Sequence, residues 1–333
     1  MMDKRRVVIT GIGILSACGT GKDAFFDAVL SGKSGIKPIT LFDTKDFTVK
    51  TAGEISDFNP QEFLGVKGLR TLDRSIKLVS CAAYLGLKDS GLEITEENSR
   101  STGIAIGSTL GSAHSIMEFD KEALREGPHY VNPALFPNTV VNSPASQLSI
   151  RFNIKGFNAT LSTGFSASLD ALKYAFDFLR LGRIKAVLTG GVEELCLETF
   201  LGFYKTGLME NNGFILGEGS AVLVLEDLES ALARKRKIYA EVLAFGNGIG
   251  PSGLQDSVNS CLNRAGLSDK DIDLVQDMEK IRSLTGDCLS AQGAVSAAAG
   301  LASMEKNANI DKVLISASGL NCTATSMIIG RFQ

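Results

Sequence analysis

The side chains able to do covalent or acid–base chemistry are few in this 333-residue chain: six cysteines, two histidines and scattered carboxylates. A catalytic cysteine needs a lowered pKa, supplied by a helix N-terminus, a cationic neighbour or a histidine base. Cys288, next to Asp287, is the most tempting thiol, but the alanine-rich stretch after it reads as a buried helix in which a small cysteine packs. His114 beside Ser115 and His129 beside Pro128 read as surface or loop residues rather than general bases. Ser166, Asp170 and Glu193-Glu194 offer a hydroxyl and carboxylates, and no spacing pairs them. Glu218, between Gly217 and Gly219, reads as part of a structural turn. Cys18, Cys81, Cys196, Cys261, Cys288 and Cys322 contain no CxxC pair, which argues against a zinc site and for free thiols in a reducing compartment.

The elements that would position these residues alternate between strand and helix. Arg6-Val7-Val8-Ile9-Thr10 is a β-branched run halted by Gly11 and Gly13, a buried strand entering a tight turn. Residues 22–30 are expected to be helical. Ile76, Val79, Ala83 and Leu87 recur at helical spacing, with Gly91 closing the segment. Strands are expected at 102–107, 158–163, 186–189, 221–225, 238–245, 312–315 and 326–329. Helices are expected at 169–179, 256–265 and 291–305. Residues 111–146, with Pro128, Pro133, Pro137 and Pro144, read as a loop-rich excursion with short helices. This order implies a layered α/β protein. There is no short-period repeat, and the best internal boundary lies near 229–237, giving parts 3–229 and 237–331.

Composition narrows the partners. A formal net charge of −3 from 34 basic and 37 acidic residues gives no electrostatic reason to expect nucleic acid. The one basic run, Arg234 to Lys237, reads as a solvated helix end. No apolar run is long enough to span a bilayer, and the basic start is not followed by an unbroken apolar segment, so no membrane partner or signal peptide is expected and the protein reads as cytoplasmic.

Five segments, in order, carry a resemblance: VVITGIGILSACGTG with SGKSGI, FPNTVVNSPASQLSIRFNIKG, NGFILGEGSAVLVLED, SLTGDCLSAQGAVSAAAG and VLISASGLNCTATSMII. Together they resemble the β-ketoacyl-acyl-carrier-protein synthases, of the KAS II-like type within the thiolase superfamily, over nearly the whole chain. The resemblance implies a thiolase-like layered α/β/α/β/α fold. It also implies a chemistry: a cysteine at a helix N-terminus attacks an acyl thioester, two histidines assist decarboxylation of malonate and hold the enolate, and backbone N–H groups form an oxyanion hole.

This chain departs from that apparatus. Phe165 stands at the nucleophile position, Asp287 at the second histidine, and Arg282 at the lysine five residues before it. The first histidine motif is missing, because residues 271–275 run almost directly into 282–284. Asn321 and Cys322 replace two glycines of the C-terminal turn. The Phe165 ring is expected to fill the mouth of the acyl pocket. Ala134, Leu135 and Phe136, with Leu320, fall where the family lines an acyl tunnel or reaches a neighbouring subunit. No catalytic residue, cofactor or metal is expected. The resemblance then implies a pseudoenzyme like the chain-length factors, pairing as a heterodimer with an intact synthase and meeting acyl carrier protein, in type II fatty acid or polyketide biosynthesis. A diverged synthase or decarboxylase with a relocated nucleophile, and an acyl-carrier-protein-binding scaffold, are the alternatives.

Overall fold

Val7 to Ser16 forms a ten-residue strand with every residue buried, as its β-branched and glycine content requires of a central strand. The computed structural model describes residues 5–319 and 322–333. Its first half comprises β1 (Val7–Ser16), β2 (Gly19–Thr20), α1 (Lys22–Ser31), β3 (Lys37–Pro38), β4 (Thr51–Ala52), α2 (Gln61–Leu64), α3 (Arg74–Ser90), β5 (Thr102–Gly107) and α4 (Ala113–Glu126). It continues with α5 (Ser143–Phe152), β6 (Asn158–Leu161), α6 (Ala167–Arg180), β7 (Ala186–Glu193), α7 (Leu197–Lys205), α8 (Leu208–Asn211) and β8 (Gly219–Asp227). After α9 (Leu228–Ala233) come β9 (Ala240–Ile249), α10 (Gly253–Ala265), β10 (Leu274–Val275), α11 (Met278–Thr285), α12 (Gln292–Lys306), β11 (Lys312–Ser318) and β12 (Thr323–Gly330).

Nine strands follow one hydrogen-bonded path, β10-β11-β12-β9-β1-β8-β7-β5-β6, with β2 paired to β1 beside it and β3-β4 forming a separate pair. It contains the same unit twice. In β5-β7-β8-β1 and in β10-β11-β12-β9 the first pair is parallel and the next two are antiparallel. The two units meet where Val7 to Ile9 pair with Ala240 to Val242. Among the described residues no strand in the second unit corresponds to β6. This duplication is structural, with no sequence period to announce it.

Side-chain alternation sorts the strands into layers. Ile12, Ile14, Leu223 and Leu225 of the first unit and Val242, Val313, Ile315 and Met327 of the second face one shared core. That core also holds Leu169, Leu172 and Phe176 of α6 and the alanine-rich face of α12. The opposite faces pack against α3, through Leu78, Val79 and Ala82, and against α10, through Cys261 and Leu262. The result is α3, sheet, α6 with α12, sheet, α10: the thiolase-like α/β/α/β/α layering.

Glycine permits the closest of these contacts. A Cβ on Gly13 would lie 1.8 Å from the Ala82 carbonyl oxygen on α3. Gly13→Ala is therefore expected to lower stability by about 1–3 kcal/mol through forced separation of helix and strand, measured by urea unfolding.

Several expectations need correction. The 111–146 segment is more helical than its prolines suggested. α4 is a 14-residue helix, and Pro128 lies beyond its end, while Pro133 opens a 3-10 turn (Pro133–Thr139) and Pro144 sits in the first turn of α5. Proline is tolerated at those positions, where an N–H partner is absent anyway. Strand β6 ends at Leu161, two residues before the expected 163. The basic run is not simply solvated: Arg234 binds the buried Glu226 carboxylate at 2.6 Å, and Lys237 pairs with Glu305.

Candidate active-site cleft

Gly164, at φ +81°, turns the chain out of β6 into a 3-10 turn (Gly164–Ser166) that runs directly into α6. The Thr109 hydroxyl donates to the Gly164 carbonyl at 3.0 Å and anchors that turn. Phe165 projects from it, half-buried, into a cleft of about 530 Å³. The same cleft is lined by Phe214, Glu279, Arg282, Asp287, Ser318 and Gly319. The fold thus brings Phe165 together with Arg282 and Asp287, more than a hundred residues away in the sequence.

Asp287 is fixed by its backbone as well as its side chain. Its N–H donates to the Ile215 carbonyl at 2.7 Å, and its carbonyl accepts from Gly217 at 2.9 Å. The carboxylate is 2% exposed and accepts from the Leu289 N–H at 2.7 Å. Arg282, on α11, places Nε 2.9 Å from the other carboxylate oxygen. Its N–H is not aligned for a hydrogen bond, so the contact is an ion pair. Burial raises the Asp287 pKa, and the Arg282 charge opposes that rise. An ion pair closed on itself leaves no neutral imidazole-like donor for an enolate.

After Leu274-Val275 the chain passes through Gln276 and Asp277 straight into α11, whose first turn is capped by the Asp277 carboxylate on the Lys280 N–H at 3.1 Å. His114 lies on α4 with Nδ1 3.3 Å from Glu198, and neither histidine lines the cleft. Cys288 is wholly buried, with its pKa pushed well above the ordinary range by burial and by Asp287. It lies in the turn before α12 rather than in the helix, and it stays a thiol. Ser166 is buried and donates to Asp170 at 3.0 Å. Glu218 is structural, holding Arg74 with both carboxylate oxygens and accepting from the Ile55 and Leu195 N–H groups. Ala134, Leu135 and Phe136 are on the 3-10 turn beside α4, outside the cleft, with Phe136 59% exposed. Leu320 and Asn321 lie outside the described residues.

The sequence reading missed what stands behind Phe165. Its ring packs on Phe203 of α7 at a centroid distance of 6.4 Å. Phe203, with Leu110, Ala113, Ile116 and Met117, lines a second cavity of about 480 Å³. The Phe165–Phe203 pair therefore stands between the polar-rimmed cleft and an apolar pocket. Phe200 and Phe203, one helical turn apart, were the available signal.

Glu193, the last residue of β7, and Glu194, which follows it, were unpaired in the sequence reading. One Glu193 oxygen accepts from the Thr109 and Leu110 N–H groups and the Ser290 hydroxyl, and the other has no partner. Burial pushes Glu193 up to about 7; burial and then the Asp73 charge push Glu194 up to about 8. Both carboxyls ionise at lower pH in the unfolded chain. Between about pH 4.5 and about pH 8 the unfolded state holds fewer protons, so stability falls as pH rises through that window. The thermal midpoint is expected to drop across it, and Glu194→Gln to flatten the profile.

Comparison with known proteins agrees with this architecture. Residues 4–231 match the family described as "Beta-ketoacyl synthase, N-terminal domain". The chain is 37% identical over 264 residues to 3-oxoacyl-[acyl-carrier-protein] synthase 2 of Vibrio harveyi. That match covers 74% of this chain and 63% of the relative, so the chain spans less than two thirds of the curated relative's length. The solved structure of the ishigamide ketosynthase/chain length factor is similar at TM-score 0.92 and 25% identity, covering 99% of this chain and 100% of that one. A type II polyketide ketosynthase in complex with its acyl-carrier protein shares the fold at TM-score 0.87 and 20% identity, covering 99% and 100% of the two chains. Matched over more than half its length by one family and built on that family's layers, the chain belongs to the β-ketoacyl synthases, as a KAS II-like member of the thiolase superfamily.

Proposed function

We propose that this chain is a non-condensing β-ketoacyl synthase homologue that serves as a chain-length-factor-like partner of an intact synthase, acting with acyl carrier protein in type II fatty acid or polyketide biosynthesis. The observation that supports the reading is the cleft itself, which gathers a phenyl ring and an Arg–Asp ion pair and is lined by neither histidine. The similarity to a ketosynthase/chain length factor structure supports it. The parts 3–229 and 237–331 serve in this reading as its two synthase-like halves, joined through α9.

The surface supports a partner. β6 is the terminal strand of the sheet path, and an open edge invites pairing. In the stretch of chain that precedes it, Tyr130, Phe136, Val140, Val141 and Ile150 are large apolar side chains left exposed. Ala134 to Phe136 would meet the partner there, at the subunit interface. Co-expression with an intact β-ketoacyl synthase from the same source, followed by native mass spectrometry, is expected to give a one-to-one heterodimer. A chain that stays monomeric in every mixture defeats the reading, and a homodimer alone favours a scaffold.

The identity to a named synthase favours a second reading, a diverged enzyme with another nucleophile. Ser283 and Ser318 are the cleft's hydroxyls, and Ser283 already donates to the Lys280 carbonyl at 2.8 Å. Intact-mass spectra after incubation with acyl-CoA separate the two readings: no acyl adduct is expected.

A further inference from the structure

Away from the cleft, the first turns of α3 and α7 and one face of α4 enclose a third cavity of about 450 Å³. Its walls carry His114 and the carboxylates of Asp73, Glu118, Glu194 and Glu198. The cations facing them are Arg74, Lys77 and Lys121. Arg74 is already committed to Glu218 through contacts of 2.5 and 2.6 Å. Leaving Glu194 aside, the carboxylates of Asp73, Glu118 and Glu198 still outnumber the remaining cations, Lys77 and Lys121.

Spacing brings the potential ligands together. His114 and Glu118 are four residues apart on α4, hence on one face, and Glu198 meets them from the first turn of α7. Their ligand atoms all lie within 4.8 Å of one another. The Lys121 ammonium sits among them, 2.7 Å from Glu118 and 3.3 Å from Glu198. A single positive charge is thus already drawn to this point. An independent sign of missing positive charge comes from α3. One Asp73 oxygen caps that helix, while the other is out of reach of solvent and has no partner.

We propose that this cavity is a divalent transition-metal site, with His114, Glu118 and Glu198 as ligands and Lys121 as a displaceable counter-ion. The proposal is independent of the partner-subunit reading. One imidazole and two carboxylates suit Zn²⁺, Co²⁺ or Mn²⁺ and leave coordination positions for water. The cavity's cysteine, Cys196, is excluded: its sulfur pairs with the Thr199 hydroxyl at 3.3 Å, and burial pushes its pKa up to about 12. A doubly charged ion between Glu118 and Glu198 outcompetes one ammonium, and the part-exposed Lys121 side chain is free to swing into water.

The test uses the full chain, freed of metal by a chelator and titrated with Co²⁺ alone. One equivalent is expected to bind with visible d–d absorption, and Zn²⁺ alone should displace it. His114→Ala and Glu198→Gln are each expected to weaken Co²⁺ binding at least about tenfold, with unchanged near-UV circular dichroism. Lys121→Met is expected to strengthen it by a similar factor, because the competing ammonium is gone. Affinity unchanged in both ligand variants, or weakened by Lys121→Met, overturns the proposal. So does the lack of saturable binding by both the wild type and Lys121→Met at millimolar Co²⁺.

Discussion

Phe165→Cys will not make this chain a condensing enzyme. The substitution puts a thiol in the turn that leads into α6, where the helix dipole favours a thiolate, so acylation or reaction with iodoacetamide is an expected outcome. Condensation needs a further step, loss of carbon dioxide from malonate and capture of the resulting enolate. In this cleft the enolate would meet the Asp287 carboxylate and no imidazole. Catalytic groups that act as a unit are strongly non-additive, and losing the set costs on the order of 10⁶ in rate, so one restored member recovers little. Malonyl- and acyl-carrier-protein thioesters incubated with the variant should yield no 3-ketoacyl product above a boiled control, with intact-mass spectra recording any acyl adduct. Turnover near that of an ordinary synthase would show that the acid–base groups have been misplaced, and the non-condensing reading would fall.

Asp287→Ala is expected to be among the most destabilising single changes in the cleft. It removes the Arg282 partner and the acceptor of the Leu289 N–H at once. Breaking a buried pair from one side costs about 3–5 kcal/mol, and the lower end applies because Arg282 still reaches solvent and Glu279. Arg282→Ala should cost less, because the isolated carboxyl, already raised by burial, can take up a proton. Urea unfolding of both variants at neutral pH checks the order; losses below about 1 kcal/mol in both would mean that the pair contributes no more than a surface contact. The expected order would make Asp287 a group that closes the cleft's wall rather than one that acts on a bound thioester.

How much of this was legible depended on where the information sits. The strands of the central path could be read because β-branched runs such as Val7 to Ile9 and Val222 to Leu225 are local signals. The vacated positions could be read because Phe165 and Asp287 are replacements inside a recognised pattern. What could not be read is set by contacts between distant segments. α4 is amphipathic but polar overall and fully buries only Ser115, so the prolines that follow it obscured its helical pattern. The Arg282–Asp287 pair spans five residues, but whether the two side chains meet depends on the turn at Gly286, with φ +72°. The Phe165–Phe203 contact joins α7 to the turn before α6, and no periodicity within either reports it.

The two ends of the sheet path differ in a way that bears on how far assembly can proceed. One end is β6, four residues long; the other is β10, reduced to Leu274 and Val275. A two-residue strand exposes too short a ladder to recruit another chain. A molecule that can extend its sheet from one side only joins a single neighbour, and the union consumes the open end of each. In the proposed pairing, growth by edge contact would therefore terminate at two subunits, giving closed pairs instead of fibres.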